Sequence, residues 1–348
     1  MDKIDIKSLT YGRLGALLSE LGQPAYRTGQ IFKWLSLGAG LDEMSDQPKA
    51  LRALLEERCA LHTPKVVARQ QSRKDGTVKL LFELHDGNRI ETVLMKYHHG
   101  WSICLSTQAG CRMGCVFCAS FDPESARDLT AGEILDQVIE AGKDPALREN
   151  GERISNIVLM GTGEPLDNYD SVMDFLEQVT DSRGVSIGMR HISLSTCGLV
   201  PGMDALAEKK LGLTLSVSLH APSDALRDRL VPVNRKYNIA ALMAACKRYF
   251  AATGRRISFE YAMIGGINDS EVCAHQLADL LGRMNCHVNL IPLNRVAGSG
   301  LEPSSRQDLL RFQEILTGRG INATVRRSLG GDIDAACGQL RKRSATEG

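Results

Sequence analysis

The first sixty residues carry apolar side chains at steps of three and four, which is the spacing of an amphipathic helix. This pattern occurs in LTYGRLGALLSELG and in RTGQIFKWLS, and Gly22 and Pro24 interrupt it between the two segments. The next stretch, VKLLFELHDGNRIETVLM, has two apolar, β-favouring runs separated by residues 85–88 (HDGN), which predicts a hairpin. We therefore expect a small α+β unit that ends near residue 97.

From residue 101 onward, short apolar runs alternate with longer segments of helical periodicity. The predicted strands are SICLST, ISNIVLM, HISLST, LTLSVSL, ISFEYAMI and HVNLIPL, with NATVRR as a terminal addition. The predicted helices include TAGEILDQVIEAG, NDSEVCAHQLADLLGRM and SSRQDLLRFQEILTGRG, and Thr130 and Glu133 have the spacing of a capping box. Repeated strand–helix units of this length favour a parallel sheet whose functional residues follow the carboxyl ends of its strands.

The predicted fold is therefore α/β, a partial (β/α)6 barrel with a small N-terminal α+β accessory domain. We expect three regions: an accessory domain over residues 1–97, a core barrel over 98–300, and a C-terminal helix, strand and loop over 301–348. The chain has 348 residues, of which 43% are hydrophobic and 24% charged, an ordinary globular composition. No apolar run approaches the roughly 20 residues of a membrane helix, and the N-terminus lacks signal-peptide features, so we expect a cytoplasmic protein without a membrane segment. We also expect a monomer.

The formal net charge of +1 provides no overall attraction for a polyanion, so any contact with nucleic acid must come from local clusters of basic residues. Each candidate cluster has the alternative interpretation of an ordinary solvated surface. The candidates are Arg73, Lys74 and Lys79; Arg255 and Arg256; Arg326 and Arg327; and Arg341, Lys342 and Arg343.

Three of the ten cysteines, Cys111, Cys115 and Cys118, lie in GCRMGCVFCAS with the spacing C-x-x-x-C-x-x-C. A structural zinc site normally has four ligands, often as two separated C-x-x-C pairs, and no second pair exists here. A thioredoxin-like motif would use two thiols and leave Cys111 without a role. Three thiols that bind three irons of a [4Fe–4S] cluster would leave the fourth iron open for a ligand. The stretch also follows the first predicted barrel strand, where a functional site is expected.

This loop resembles the cluster-binding loop of the radical S-adenosylmethionine superfamily, in which the open iron chelates the amino and carboxylate groups of the cofactor. Other segments, LMGTGEPLDNYD, LSTCG, SVSLHAP and LIPLN, follow later strands in the order that this superfamily uses. The resemblance implies that S-adenosylmethionine contacts residues at these strand ends: Gly163, Glu164, Ser195, Ser218, Leu219, His220 and Asn294.

GGDIDAACGQL, IETVLMKY and CLSTQAGC resemble the RlmN-type adenosine-C2 methyltransferases and, more distantly, the Cfr-type enzymes that methylate C8. The resemblance covers essentially the whole chain. It implies 2-methyladenosine formation in 23S ribosomal RNA (adenosine 2503) and in transfer RNA (adenosine 37). It also implies one [4Fe–4S] cluster per chain, two S-adenosylmethionine molecules consumed per turnover, and a low-potential electron donor such as flavodoxin or ferredoxin. C2 of adenine is electron-poor and the cofactor's methyl group is an electrophile, so a radical route suits this reaction.

The same resemblance assigns three further roles. Cys337 is methylated to an S-methylcysteine intermediate and becomes joined to the RNA, Cys104 resolves that adduct through a disulfide, and Glu91 accepts the C2 proton. From the pattern alone, Cys337 could be a small buried residue and Glu91 an exposed strand-end carboxylate. The remaining cysteines are assigned to packing: Cys59, Cys197, Cys246, Cys273 and Cys286. Among them, Cys197 lies beside a predicted cofactor contact in the sequence.

The segment after the third cysteine departs from the family pattern. It reads ASFDPESARDLT, so residues 121–124 replace the usual glycines, whereas Arg127 and Leu129 keep their places. Because the segment adjoins the cluster loop, substrate choice could differ. The sequence leaves three hypotheses for the function: C2 methylation, Cfr-type C8 methylation of the same adenosine, and a non-catalytic iron–sulfur or zinc binding protein.

Overall fold

The fold was analysed in a computed structural model, which describes residues 3–124, 126–282, 284–294, 298–336 and 339. Its helices are α1 (Tyr11–Glu20), α2 (Tyr26–Ser36), α3 (Lys49–Arg58), α4 (Ala131–Ala141), α5 (Pro145–Arg148), α6 (Tyr169–Thr180), α7 (Val200–Lys209), α8 (Asp224–Leu230), α9 (Ile239–Thr253), α10 (Glu271–Leu281) and α11 (Arg306–Gly318). Single turns of 3-10 helix occur at Ile6–Ser8, Met189–His191, Pro232–Arg235 and Gly331–Ile333.

The strands alternate with helices from β8 onward. They are β1 (Ile4–Asp5), β2 (Cys59–Ala60), β3 (Lys65–Gln71), β4 (Val78–Glu83), β5 (Arg89–Tyr97), β6 (Gly100–Cys104), β7 (Gln108–Ala109), β8 (Arg127–Asp128), β9 (Ile154–Leu159), β10 (Ile192–Thr196), β11 (Thr214–Ser218), β12 (Ile257–Met263), β13 (Cys286–Pro292) and β14 (Asn322–Val325). Every strand and helix named from the sequence is confirmed, and β3 is an edge strand that the sequence reading did not include.

One sheet joins ten of the described strands in the order β14-β13-β12-β11-β10-β9-β6-β5-β4-β3. Within this sheet β6 and the strands from β9 to β14 pair in parallel, with helices as the crossovers, whereas β7 and β8 form a separate antiparallel pair. The predicted partial (β/α)6 barrel is therefore confirmed. The predicted hairpin, β4 and β5, pairs antiparallel with β3 on one side and β6 on the other, so the sheet runs without a break across residue 97. The domain boundaries themselves stay a prediction.

The helix α4 begins at the predicted capping box. The Thr130 hydroxyl accepts a hydrogen bond from the Glu133 N–H at 3.2 Å, and the Glu133 carboxylate accepts one from the Thr130 N–H at 3.0 Å. These two bonds satisfy donors that a helix start otherwise leaves unpaired. Further along α4, Asp136 forms a buried ion pair with Lys7 of the N-terminal segment, which anchors that segment to the barrel.

The two largest hydrophobic cores of the described residues are separate from each other. The larger one fills the space between the sheet and the barrel helices, and the smaller one lies among α1, α2 and α3. Cys59, Cys246, Cys273 and Cys286 are buried, as expected of cysteines that serve in packing. In the part of the chain that the structure describes, no helix has the length and apolar character needed to cross a membrane.

Candidate active site

The cluster loop, residues 110–121, follows β6 and β7 at the carboxyl end of the barrel. Backbone hydrogen bonds fold the loop around its cysteines: the Cys118 N–H donates to the Cys115 carbonyl at 3.2 Å, and the Asp122 N–H donates to the Cys111 carbonyl at 3.0 Å. Cys111, Cys115 and Cys118 all line one cavity of about 160 Å³. The three thiols that the sequence singles out therefore open onto the same space.

Burial makes two of these thiols, those of Cys111 and Cys115, poor acids when no cation is near them. It raises the pKa of Cys111 to about 12, and it raises that of Cys115 further, with the neighbouring thiols adding to the effect. Metal binding requires thiolates, so a cationic centre would have to stabilise them. Among the described residues, no group of three His, Cys, Asp or Glu side chains could hold a single metal ion. A [4Fe–4S] cluster makes a different demand, because each thiol binds its own iron, and the shared cavity fits that arrangement.

The strands from β9 to β13 all contribute residues to the same cavity, because the carboxyl ends of neighbouring parallel strands meet at one edge. Six of the predicted cofactor contacts line this cavity: Gly163, Glu164, Ser195, Ser218, His220 and Asn294. Leu219 is different: its side chain is fully buried in the larger core, and its backbone N–H donates to the Glu260 carbonyl at 3.1 Å. The site residues and their roles stay predictions.

Glycine is required where the β9 end approaches the segment after β6. Gly163 has φ +110°, and a Cβ added there would lie 2.7 Å from Gln108 Cβ and 2.8 Å from Gln108 N. A Cβ on Gly161 would lie 2.6 Å from the Leu105 carbonyl oxygen. Only glycine permits both the backbone conformation and the close approach. The Gly-x-Gly-Glu sequence therefore sets the floor of the cavity through backbone packing.

Glu164 is buried, and its carboxylate is held by backbone donors. It accepts hydrogen bonds from the Leu166 N–H at 3.0 Å and from the Cys197 N–H at 2.7 Å. Burial raises the pKa of Glu164, and these hydrogen bonds oppose the rise. Cys197 also lines the cavity, and burial together with the nearby Glu164 carboxylate raises the pKa of its thiol. Glu164 thus fastens the β9 end to the β10 end.

Arg227 of α8 is a residue of this site that the sequence reading missed. Its side chain is fully buried and donates to three strand-end carbonyls, those of Cys197 at 2.6 Å, Ser218 at 3.0 Å and Leu219 at 3.1 Å. A further bond reaches the side-chain oxygen of Asn234 at 2.9 Å. Five donors in a rigid fork suit such a junction. The only signal in the sequence was an arginine soon after SVSLH.

His220 is held in one tautomer. Its Nδ1 accepts a hydrogen bond from the Ala262 N–H at 2.9 Å, so the ring proton is on Nε2. Burial, with Arg227 nearby, lowers the pKa of His220 to about 3. The residue has φ +57°, and the Phe117 ring of the cluster loop contacts it edge-on at 4.6 Å between centroids. His220 is therefore a neutral, oriented donor at the end of β11.

A second, smaller cavity adjoins the first and shares Met160, Ile291, Asn294 and Arg326 with it. Cys104 lines this second cavity, and so does Ala336, the last described residue before Cys337 in the sequence. Cys337 itself lies outside the described residues, as do Arg341, Lys342 and Arg343 of the tail. Cys104 also packs in a small apolar cluster with Leu329 and Ala335, so the C-terminal segment reaches the predicted resolving cysteine.

Glu91 lies on β5 in a buried position, and the structure does not place it at a strand end. Its carboxylate pairs with Lys79, with 3.1 Å between Oε1 and Nζ, and the two side chains are 1% and 4% exposed. The expectation that Lys79 forms a basic surface cluster with Arg73 and Lys74 is therefore wrong. Lys79 belongs to β4, and the pleat turns its side chain to the buried face of the sheet.

The segment that departs from the family pattern folds back along the cluster loop. Phe121 forms an isolated parallel bridge with Cys111, and its side chain is half exposed. Arg127, which keeps its family place, forms ion pairs with Asp86 at 2.7 Å and with Glu133 at 2.9 Å. The segment therefore joins the cluster loop to the β4–β5 turn and to the start of α4.

Comparison with known proteins identifies the family. The model of the radical SAM superfamily matches residues 105–276, from the end of β6 into α10. A curated protein of Pelotomaculum thermopropionicum, named "Probable dual-specificity RNA methyltransferase RlmN", is 51% identical over 350 residues, covering 100% of this chain and 94% of that protein. The chain belongs to the RlmN family.

Other members of the RlmN family give the same result. The protein of that name from Desulforamulus reducens is 49% identical, covering 98% of this chain and 97% of its own length. A crystal structure of a radical SAM methyltransferase from Sphaerobacter thermophilus has a TM-score of 0.91 and 46% identity, covering 97% of this chain and 99% of that chain. Membership of the radical SAM superfamily implies an iron–sulfur cluster and S-adenosylmethionine.

Proposed function

We propose that this protein is an S-adenosylmethionine-dependent RNA methyltransferase that makes 2-methyladenosine in 23S ribosomal RNA and in transfer RNA. The observation that carries the proposal is the pair of adjoining cavities at the carboxyl end of the barrel. One is lined by Cys111, Cys115 and Cys118 together with the strand-end residues, and the other by Cys104 and the C-terminal segment. Relatives at 49–51% identity carry the name of a dual-specificity RNA methyltransferase.

The first cavity is the proposed cofactor site. The three cysteines would hold one [4Fe–4S] cluster, and the strand-end residues that line the cavity would surround S-adenosylmethionine: Gly163, Glu164, Ser195, Ser218, His220 and Asn294. When bound and reduced, this pair of groups would supply radical chemistry able to take a hydrogen atom from a methyl group that no base can deprotonate.

The second cavity is the proposed site of methyl transfer. The Cys337 thiolate takes a methyl group from one S-adenosylmethionine, and loss of one hydrogen atom from the resulting S-methyl group leaves a methylene radical. The carbon radical adds to C2 of adenine. The adduct would then return one electron to the oxidised cluster, which offsets the electron spent in cleaving the second S-adenosylmethionine, and it would lose the C2 proton to the Glu91 carboxylate.

Release of the RNA requires Cys104. Its thiolate attacks the Cys337 sulfur, so an S–S bond forms while the S–CH₂ bond breaks, and the electron pair moves to the departing carbon, which takes a proton and becomes the methyl group. A dithiol reductant then restores both thiols. Cys104 lines the same cavity as Ala336, which favours an attack of this kind without a large rearrangement.

The target base must leave its stack before C2 can be reached, which costs less in a loop than in a duplex. We place RNA docking on residues 1–97, where the edge strand β3 is exposed along its whole length and is followed by exposed Arg73 and Lys74. Arg326 of the C-terminal segment lines both cavities. We further place the protein in the cytoplasm as a monomer, supplied with electrons by a flavodoxin or ferredoxin.

Analysis of nucleosides by mass spectrometry tests the proposal. The purified protein is reconstituted with iron and sulfide, reduced, and incubated with S-adenosylmethionine and with unmodified 23S ribosomal RNA or transfer RNA. We expect 2-methyladenosine from both. Formation of 8-methyladenosine would favour Cfr-type chemistry, and active cofactor cleavage with no methylated nucleoside would contradict RNA methylation. Metal analysis separates the non-catalytic alternative, since about four irons with sulfide fit the cluster whereas one zinc excludes it.

A further inference from the structure

Lys79 joins two parts of the molecule that lie far apart in the sequence. Its ammonium group is 3.1 Å from Glu91 Oε1 and donates to the Asp334 carbonyl at 3.2 Å. Glu91 is the predicted proton acceptor, and Asp334 lies three residues before the predicted methyl-accepting Cys337. A single buried cation therefore contacts both the carboxylate and the chain segment that leads to the reacting thiol.

The register of the sheet explains why these groups meet. On the β4–β5 ladder Lys79 stands opposite Val93 and Leu81 opposite Glu91, and on the β5–β6 ladder Val93 stands opposite Cys104. Residues opposite each other in an antiparallel pair share a face, and so do residues two apart along a strand. Lys79, Glu91 and Cys104 therefore occupy one face of the sheet, the face on which Leu329 and Ala335 pack.

The C-terminal segment is fastened to the β3–β4 turn by further bonds. The Ser72 hydroxyl donates to Asp332 at 2.7 Å, and the Gly330 N–H donates to Asp75 at 2.9 Å. Gly330 has φ +66°, and a Cβ there would lie 2.9 Å from Thr77 Cγ2, so the two segments are in close contact. These bonds fix where residues 330–334 lie, and Lys79 is the contact that links them to Glu91.

A buried ammonium group carries a large desolvation cost unless hydrogen-bonded partners surround it. Lys79 meets this requirement with one carboxylate and one carbonyl, both strong acceptors. Stability of the fold alone does not require a lysine at this position, because an apolar side chain on β4 would pack against Val93 without any desolvation cost. The ion pair instead fixes the direction of the Glu91 carboxylate, which a proton acceptor requires.

We propose that Lys79 is a positioning residue that holds the Glu91 carboxylate and residues 330–334 in a fixed mutual arrangement for removal of the C2 proton. This inference rests on the proposed function, in which Glu91 accepts that proton after the carbon radical has added to adenine. Lys79 acts through Glu91 and the C-terminal segment and does not take part in cofactor cleavage.

The test compares Lys79→Met, Lys79→Arg and Lys143→Met in the reconstituted full-length protein. Lys143 is the control, because it is a partly exposed lysine outside the region of proposed RNA docking and pairs with Glu140 at 2.6 Å. Three quantities are measured: S-methylation of Cys337 by protein mass spectrometry, 5′-deoxyadenosine formation, and the amounts of covalent protein–RNA adduct and 2-methyladenosine.

In Lys79→Met we expect Cys337 methylation and cofactor cleavage within about threefold of the wild type, 2-methyladenosine formation lowered at least about tenfold, and accumulated RNA adduct. Lys79→Arg should recover part of the product, because it restores the charge, and Lys143→Met should match the wild type. Equal losses of all three quantities in Lys79→Met would overturn the inference, since they would indicate a general packing defect, and so would product formation equal to that of Lys143→Met.

Two further measurements keep the outcome clear. The Lys79→Met/Glu91→Gln double variant removes both charges, so it should fold even if Lys79→Met, which takes the ammonium group away from the Glu91 carboxylate, does not. Hydrogen–deuterium exchange requires no cofactor: faster exchange of the Gly330 and Ala335 amides in Lys79→Met is expected, and unchanged exchange would contradict the link. Failure of the proposed function would look different, because the wild type itself would then form no 2-methyladenosine.

Discussion

The Glu164 carboxylate accepts a hydrogen bond from the Cys197 N–H at 2.7 Å, and this bond joins the ends of β9 and β10 beside the cluster loop. The Glu164 carboxylate also accepts a hydrogen bond from the Leu166 N–H. One buried side chain therefore provides the acceptor for two backbone N–H groups beside the cavity. Any cofactor that fills the cavity contacts a wall whose shape Glu164 maintains.

Glu164→Gln should therefore weaken both the fold and cofactor binding. An amide keeps one acceptor oxygen and directs an NH₂ group at a backbone donor, so about 1–3 kcal/mol of unfolding free energy should be lost, and S-adenosylmethionine should bind at least about tenfold more weakly. Chemical denaturation and titration calorimetry on the reconstituted protein measure these quantities. Glu177→Gln on the exposed side of α6 is the control, and a Glu164→Gln variant that matches it in both measurements would contradict this role.

Gly163→Ala should be far more harmful than a glycine substitution elsewhere. Its φ of +110° and the 2.7 Å contact with Gln108 Cβ combine backbone strain with overpacking, so we expect a loss of about 3 kcal/mol or more and no measurable cofactor binding. Gly151 also has a positive φ, +61°, with no atom near an added Cβ, so Gly151→Ala should cost only about 1–2 kcal/mol. Equal unfolding midpoints for the two variants would refute the packing argument.

The strands and the capping box could be predicted from the sequence because each depends on neighbours within a few residues. Thr130 and Glu133 are three residues apart, and the cysteine loop is continuous in the chain. Lys79 could not be placed correctly, because its location is decided by Glu91 across a ladder and by Asp334, which is 255 residues away. Arg227 was missed for the same reason, since its acceptors come from two different strand ends.

The two thiols outside the cluster should behave oppositely when they are replaced. Cys337→Ala removes the sulfur that carries the methylene group joined to the RNA, so no covalent adduct should form, whereas Cys104→Ala leaves the adduct without a resolving thiolate and should trap it. Denaturing gel electrophoresis with labelled RNA detects the adduct. Cys286→Ala, at a buried cysteine of β13 that lines neither cavity, is the control and should turn over normally. Equal adduct in the Cys104 and Cys337 variants would refute the assigned roles.

His220 should make the free energy of unfolding decrease as the pH falls. Its folded pKa is lowered to about 3 from about 6.5 in the unfolded chain, so the stabilisation is fully present above pH 6.5 and is lost as the pH falls toward 3. At pH 5 the loss is about 2 kcal/mol by proton linkage. His220→Asn tolerates a positive φ and offers an acceptor in place of Nδ1. Between pH 7 and pH 5 the wild type should lose about 2 kcal/mol more unfolding free energy than this variant, and parallel curves would exclude the assignment.

The most direct test of radical methylation through Cys337 uses S-adenosylmethionine with a trideuterated methyl group. One deuterium should leave as the S-methyl group is activated and appear in 5′-deoxyadenosine, and the carbon should gain one proton from solvent on release. We therefore expect 2-methyladenosine with two deuteriums in its methyl group. A product that retains all three deuteriums would show that the methyl group passes to the base intact and would contradict the mechanism.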